Sequence, residues 1–196
     1  EGALAQVWLG LGGLIVSSLP IQAEPSESEQ IGELLGATGS ESRIGAFEKA
    51  FEAPVEARPR RRQDFDAVFL LASDPSEARR LRPLLIYHYS GSTPVYSTSS
   101  IYDGQSKGGN QDLNELVFLE TPAVLDATQV DRYTRLNALG YDAVTMLDHW
   151  QQAQTVSAPL FKGRTGLIRR LPNGEVEREL NPVGFDGGRL TKSPLP

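Results

Sequence analysis

Apolar residues along this chain fall alternately into continuous runs and into stretches with helical spacing. Phe65–Ala72 is a nearly continuous apolar run, which is typical of a central parallel strand covered on both faces. Pro94–Ile101 and Leu116–Leu119 predict two further strands, and Leu14–Ile21 predicts a buried strand near the start. The pattern indicates a sheet whose strands are separated by helices.

Capping residues indicate where two of the intervening helices begin. Asp74 is a suitable N-cap, with Pro75 at the first helical position and Glu77 placed to complete a capping box. A kink or restart is expected at Pro83, because proline inside a helix removes a hydrogen bond and crowds the preceding turn. Ser40 is predicted to cap a second helix.

Further helices are predicted over Ala3–Leu11, over Ser28–Leu35, and from Asp126 to Leu139, where Gly140 interrupts the pattern. The first begins close to residue 1 without an N-cap, which suggests that further chain precedes it. Beyond Gly140, four residues recur at the spacing of one helical face and are expected to pack in the core. They are Ala143, Met146, Leu147 and Trp150.

The pattern changes after Pro159. Thr165–Leu171 and Glu175–Leu180 are β-prone and flank an Asn-Gly pair, which is a strong hairpin signal. Gly184–Pro196 is rich in Gly and Pro and is expected to be a surface tail. The predicted fold class is therefore α/β: a three-layer, mainly parallel sheet with an antiparallel hairpin towards the C-terminus.

Length, charge and cysteine content narrow the function classes. With 196 residues the chain can bury the core of one domain. Its net charge of −6 argues against a general nucleic-acid-binding role, because nothing offsets repulsion from phosphates. The absence of cysteine excludes disulfides, thiolate catalysis and cysteine-based zinc sites. No apolar stretch is long enough to predict a membrane span.

The sequence also lacks the common motifs of catalysis and cofactor binding. There is no nucleophile elbow and no phosphate-binding Walker loop, and the glycines at residues 10–13 precede a predicted strand instead of following one. Asp103, Asp112 and Glu115 share a Gly/Asn-rich loop in which a calcium site is an open alternative, although the EF-hand pattern does not fit. The sequence gives no support for an enzyme, and we expect neither a cofactor nor a metal.

Two groups of polar residues are candidates for binding. Hydroxyls at the end of a predicted strand can hydrogen-bond a polar small molecule, or they can stabilise a local turn. This group comprises Ser97, Thr98, Ser99, Tyr102 and Asp103. The second group is Arg60, Arg61 and Arg62, which can bind an anion or a protein partner or can pair locally with Asp64 and Asp66.

Several ordered sequence blocks resemble the LppC/LpoA family of lipoproteins, and the opening resembles the second lobe of type I periplasmic binding proteins. The blocks follow the family's order of RRR-x-D-x-D, P-x-x-AR-x-x-P, PVYATS-x-Y, DL-x-G and a closing G-x-TG segment. They lie at Arg60–Asp66, Pro75–Pro83, Pro94–Tyr102, Asp112-Leu113 and Gly163–Gly188. Two positions depart from the family: Ala123 replaces a tryptophan, and Glu115 replaces a glycine.

The resemblance implies a regulator with no catalytic residues to carry over. It implies an outer-membrane lipoprotein that faces the periplasm and activates a class A penicillin-binding protein, the synthase that builds peptidoglycan. The lipid anchor and its cysteine are absent from this chain. The alternative is a periplasmic sensor that holds a small polar ligand, such as a wall fragment, near Ser97–Asp103. A hydrolase of wall fragments is a third hypothesis.

The resemblance also implies how the chain is organised. Residues 1–196 are expected to form one binding-protein-like domain fragment, mostly its second lobe. Within it, about 122–159 would be helices returning towards a first lobe that this chain lacks, and 160–196 the hairpin and tail.

Overall fold

A computed structural model describes residues 2–54, 56–104, 109–150 and 159–192. Within these residues, five strands form the main sheet. In spatial order they are β1 (Val68–Leu70), β2 (Val95–Ser97), β3 (Leu116–Glu120), β7 (Asn181–Asp186) and β8 (Arg189–Lys192).

The main sheet is mixed. β1, β2 and β3 are parallel, in a register that places Val68 beside Val95 and Val95 beside Leu116. β7 joins β3 in the antiparallel sense, and β8 is antiparallel to β7. The predicted α/β class, with antiparallel strands added near the C-terminus, is confirmed. The β7–β8 hairpin occupies most of Gly184–Pro196, so the prediction of a surface tail is wrong over residues 184–192.

A second sheet contains the predicted hairpin. Its strands are β4 (Pro159–Lys162), β5 (Leu167–Arg170) and β6 (Val176–Glu179), all antiparallel. The turn between β5 and β6 is closed by the Leu171 N–H, which donates to the Glu175 carbonyl at 2.8 Å. Gly174 has φ 85°, in the left-handed region that glycine adopts without strain. The Asn-Gly hairpin prediction is confirmed.

Six α-helices lie within the described residues, and their bounds correct several predictions. They are α1 (Gly2–Gly10), α2 (Glu27–Leu34), α3 (Ala37–Phe51), α4 (Pro75–Leu85), α5 (Pro122–Leu125) and α6 (Thr134–Trp150). Leu14–Ile21 is not a strand, and most of it is exposed. Ser40 lies inside α3 and does not cap it, because the chain enters that helix through Gly36, a left-handed N-cap with φ 68°.

The start of α4 follows the predicted cap. An Asp74 carboxylate oxygen accepts from the Ser76 N–H at 2.7 Å and from the Glu77 N–H at 3.0 Å. The helix does not restart at Pro83, since it continues to Leu85. The break comes later, in a π-helical turn over Ile86–Ser90 whose backbone leaves helical geometry at His88 and Tyr89.

The long helix α6 differs most from its prediction. Asp126 does not cap it, because residues 126–133 form the connection between α5 and α6, and Gly140 lies within the helix without interrupting it. The expected core face is wrong at two of its four residues: Leu147 is 70% exposed, and Ala143 is exposed too, whereas Met146 is half-buried and the Trp150 side chain lies outside what the structure describes. The helix instead buries Ala138 and Asp142.

One face of the main sheet carries the core. Leu70, Val95 and Phe118 point to this face and are buried together with Ile31 of α2 and Leu81 of α4. On the opposite face, Trp8 of α1 meets Phe69 edge-on, with ring centroids 5.3 Å apart. The expected return of residues 122–159 towards another lobe stays a prediction.

Because β1, β2 and β3 are parallel, each end of the three strands forms a separate edge. We call the edge at Leu70, Ser97 and Glu120 the carboxyl edge, and the edge at Val68, Val95 and Leu116 the amino edge. Ligands of open parallel sheets usually bind at the carboxyl edge. The carboxyl edge is therefore the first place to look for a ligand site.

Candidate functional site

The predicted hydroxyl cluster lies at the carboxyl edge, where its side chains bond to neighbouring protein. The Ser97 hydroxyl donates to the Leu70 carbonyl at 2.6 Å, and the Ser100 hydroxyl donates to the Ala72 carbonyl at 2.7 Å. The Thr98 and Ser100 hydroxyl oxygens are 2.6 Å apart. These bonds tie the segment after β2 to the end of β1, so they use the hydroxyls for structure.

Tyr102 is part of the core. It is 8% exposed, and its ring packs against those of Phe118 and Phe185, with centroid distances of 6.4 and 5.9 Å. Burial is the main cause that raises the Tyr102 pKa above its ordinary value; the carboxylates of Asp103 and Glu120 add to the effect, and Arg135 opposes it. Tyr102 therefore stays a neutral packing residue at physiological pH.

An ion pair with a buried carboxylate, which sequence reasoning missed, holds the same edge together. Glu120, at the end of β3, is 0% exposed, and its carboxylate accepts two hydrogen bonds from the Arg135 guanidinium on α6. The Arg135 Nη2 also donates to the carbonyls of Ser99 at 3.2 Å and Tyr102 at 2.9 Å. One guanidinium thus links α6, β3 and the hydroxyl loop. The two residues are 15 positions apart in the sequence, so no local sequence pattern predicts their contact.

A second buried carboxylate joins α6 to the small sheet. The Asp142 oxygens accept from the Arg164 N–H at 2.8 Å, from the Thr165 N–H at 2.6 Å and from the Thr165 hydroxyl at 2.7 Å. Beside it, a Cβ added to Gly163 would lie 2.5 Å from Asp142 Oδ2, so the close approach requires glycine there. Asp142 is therefore structural, as its bonds to the β4–β5 connection show.

The three predicted arginines have different surroundings. Arg62 forms a two-pronged ion pair with Asp64, in which both hydrogen bonds are 2.6 Å long, and this partner raises the Arg62 pKa while lowering that of Asp64. Arg61 lies over the Phe65 ring at 4.6 Å and donates to the Arg62 carbonyl at 2.8 Å. Arg60 is exposed, and its backbone N–H is held by the Ser40 hydroxyl at 3.1 Å. Of these three arginines, only Arg62 pairs with a carboxylate among the described residues.

The described residues offer little catalytic chemistry. The Ser28 hydroxyl and His88 Nε2 are 3.0 Å apart, which is the first contact of a nucleophile–base pair, but catalysis also needs an orienting group and oxyanion donors. His88 is instead wedged against α2, where a Cβ on Gly32 would lie 2.9 Å from its ring. Within the described residues, no three His, Cys, Asp or Glu side chains are grouped to hold a metal ion, and no helix is long and apolar enough to cross a membrane.

Comparison with known proteins identifies the family. The family model described as "LppC putative lipoprotein" matches residues 3–188. The chain belongs to the LppC family. Among LppC relatives, the penicillin-binding protein activator LpoA of Vibrio antiquarius is 25% identical over 169 residues, which cover 78% of this chain and 28% of that protein.

Two solved structures share the fold. The C-domain of LpoA from Haemophilus influenzae, named as a regulator of PBP1A, matches with a TM-score of 0.58 at 15% identity and covers 79% of this LppC chain and 57% of that chain. A Chromobacterium violaceum protein named for branched-chain amino acid ABC transport matches with a TM-score of 0.60 at 24% identity and covers 94% and 54%. The periplasmic-binding-protein-like fold is thus confirmed. This LppC chain spans little more than a quarter of the V. antiquarius relative.

Proposed function

We propose that this chain activates a class A penicillin-binding protein, a synthase of peptidoglycan, through direct protein–protein contact. The proposal rests on the family match over residues 3–188. One relative of this chain, from V. antiquarius, is named an activator of a penicillin-binding protein. The proposal includes a non-catalytic role and a periplasmic location, as an outer-membrane lipoprotein in the full-length protein.

Activation by contact requires no reaction on this chain. A regulator that binds one conformational state of the synthase more tightly than another shifts the synthase towards that state by the difference in binding free energy. The carboxyl edge gives little support to a ligand site, because the hydroxyls of Ser97 and Ser100 and the Arg135 guanidinium bond to the protein itself. The sensor alternative at Ser97–Asp103 stays a prediction, with less geometric support than partner binding.

The surface of α3 and the connector after it is the strongest candidate for the contact. Of the 15 residues of α3 only Ala37 is buried, and the rings of Phe47 and Phe51 stack in solvent with centroids 6.1 Å apart. The bond from the Arg60 N–H to Ser40 brings the connector back beside the helix. The connector thus lies beside the start of α3, and the surface carries exposed aromatic rings and an exposed arginine, residue types that contribute much of the binding energy at protein interfaces.

The direct test adds this chain to a purified class A penicillin-binding protein and measures glycan polymerisation, peptide cross-linking and binding affinity. We expect the chain to raise the synthase rates, and the double variant Phe51→Ala/Arg60→Glu to bind at least about tenfold more weakly. Both substituted residues are exposed, so the variant should melt at the wild-type temperature.

The matched control is Arg189→Glu, which makes the same charge change at an exposed position on β8. It should bind and activate like the wild type. Unchanged synthase rates with the wild-type chain would refute the function itself. Full activity of the double variant would instead move the contact away from α3.

A further inference from the structure

One side of α6 keeps a row of aromatic and polar side chains exposed. Tyr133, just before the helix, and Tyr141 within it are 47% and 51% exposed, and Asn137 between them is exposed as well. The Asn137 N–H donates to the Tyr133 carbonyl at 2.8 Å, so the helical bonding already includes Tyr133. Residues four positions apart are neighbours on a helix. The three residues therefore form one stripe, whose tyrosines are about 12 Å apart along the axis.

Each tyrosine of this stripe carries a stacked arginine. The Arg164 Cζ lies 3.8 Å from the centre of the Tyr141 ring, and the Arg132 Cζ lies 4.6 Å from that of the Tyr133 ring. Both arginines are exposed. A guanidinium that stacks on a ring uses its flat face and leaves the N–H groups along its edge to an acceptor. Arg132 gives one of these to the Tyr133 hydroxyl, at 2.6 Å.

The backbone of Arg164 is held on both sides. Its N–H donates to an Asp142 carboxylate oxygen at 2.8 Å, and its carbonyl accepts from the Ala123 N–H at 2.9 Å. The Gly163 N–H donates to the Gly166 carbonyl at 2.9 Å, which closes the turn around Arg164. Because the backbone is bonded and the guanidinium is stacked, this side chain loses less conformational entropy when a partner binds it.

Neither stacked arginine forms an ion pair within the described residues. The ion pairs found there belong to other arginines, namely Arg62, Arg79, Arg80, Arg135 and Arg169. Asp131 precedes Arg132 in sequence, but its carboxylate accepts from the Tyr133 N–H at 2.9 Å and from the Thr134 hydroxyl at 2.8 Å, at the start of α6. The stripe therefore presents two guanidiniums that can still accept a carboxylate partner.

Apolar residues lie beside the stripe. Leu136 and Val144, each three positions beyond a tyrosine, are 61% and 66% exposed. Gly140 lies between them, is exposed, and would meet no other atom within 4 Å if it carried a Cβ. Positions three apart are adjacent on a helix. An apolar centre bordered by tyrosine and arginine has the composition of the parts of protein interfaces that contribute most to binding.

We propose that this face of α6 docks an acidic segment of the penicillin-binding protein, as a second contact separate from α3; the inference rests on the function proposed above. Carboxylates of the segment accept hydrogen bonds from the Arg164 and Arg132 guanidiniums, and its apolar side chains cover Leu136 and Val144. The spacing of the tyrosines suits carboxylates about two helical turns apart, or about four residues apart in an extended segment. A basic partner would be repelled by both guanidiniums, and a free anion would gain nothing from the apolar residues.

The test measures binding of the purified synthase to the 196-residue chain at low and at high salt. We expect Arg164→Gln to weaken binding at least about fivefold and Arg132→Gln/Arg164→Gln at least about tenfold, because charge-assisted hydrogen bonds are lost. The double variant should also lose most of the salt dependence of the association rate. Tyr141→Ala keeps every charge but removes the ring that orients Arg164, so it should weaken binding about threefold.

The substituted side chains are exposed, and Arg164→Gln keeps the backbone bonds at residue 164, so all variants should melt at the wild-type temperature. Arg178→Gln is the matched control: it makes the same charge change at an exposed position on β6 and should leave the affinity unchanged. An equal loss in Arg178→Gln and Arg164→Gln would reduce the effect to net charge and overturn the inference.

The outcomes separate this inference from the proposed function. A wild-type chain that does not bind the synthase would overturn both. Wild-type binding that the double arginine variant retains would overturn this inference alone. Analytical ultracentrifugation checks for another occupant, because a wild-type dimer that Arg164→Gln dissociates would assign the face to a second copy of the chain. If the substitutions weaken binding in this chain but not in a longer form that includes the first lobe, the face belongs to that lobe, and the inference is wrong.

Discussion

The two edges of the main sheet treat buried polar groups in opposite ways. At the carboxyl edge, Glu120 is fully buried, yet its carboxylate is bonded to Arg135, and that guanidinium also bonds to two carbonyls. At the amino edge, Arg82 is just as buried, but its Nε and Nη1 have no partner among the described residues. The paired guanidinium stabilises the carboxyl edge, whereas the unpaired nitrogens of the other guanidinium destabilise the amino edge.

The difference shows that the position of polar residues does not by itself reveal a binding site. The carboxyl edge is rich in hydroxyls, which made it the natural prediction, but the structure uses those of Ser97 and Ser100 to join strands. At the amino edge, the buried hydroxyls of Ser90 and Thr93 have no partner among the described residues, and the backbone has positive φ at Tyr89 and Glu115. A site is better recognised by the hydrogen bonds that its groups still lack. Three predictions test this contrast.

The largest effect should come from Arg135→Met at the carboxyl edge. Removing the guanidinium leaves the buried Glu120 carboxylate without its charged partner, which should cost about 3 kcal/mol of unfolding free energy. Urea unfolding at pH 7 measures the change through the midpoint at constant slope. The double variant Arg135→Met/Glu120→Gln is the control and should recover part of the loss. A loss below about 1 kcal/mol would mean that water already stabilises this edge.

A smaller effect of opposite sign is expected from Glu115→Gly at the amino edge. The left-handed backbone at residue 115, with φ 64°, strains any side chain and suits glycine, so the variant should gain about 1 kcal/mol of unfolding free energy. Glu115→Ala removes the same carboxylate but keeps the strain, so it isolates the backbone contribution. Equal stability of the glycine and alanine variants would show that the edge is not strained.

Local signals in the sequence predicted much of the fold. Asp74 and Pro75 predicted the start of α4, and the Asn-Gly pair predicted the β5–β6 turn. Each of these residues acts on backbone atoms only a few residues away. Periodicity was less reliable. It identified the helical character around Leu147, but it cannot tell whether a neighbouring element covers that face, and in the structure Leu147 is 70% exposed.

The candidate sites depend on contacts between distant residues, and these are beyond local patterns. The Glu120–Arg135 pair forms because the end of β3 meets α6. The unpaired state of Arg82 depends on how α4 packs against the sheet. The sequence around Arg82 predicts only an amphipathic helix. One signal was available: Glu115 replaces a glycine of the family pattern, and a side chain at a glycine position often marks a left-handed backbone.

The smallest predicted effect concerns Asp74, whose carboxylate caps α4 at the carboxyl edge. Hydrogen bonds from the Glu77 N–H, and then from the Ser76 N–H, lower the Asp74 pKa below its unfolded value. Its stabilisation is therefore present above the unfolded pKa of about 4 and is lost as the pH falls through the folded value. Asp74→Asn caps the helix without titrating. Urea unfolding between pH 7 and pH 3 should show the wild type losing more stability than this variant. Parallel profiles would mean that the Asp74 cap contributes no charge-dependent stability. The hydrogen bonds of this carboxylate would then stabilise the carboxyl edge less than the contrast between the two edges requires.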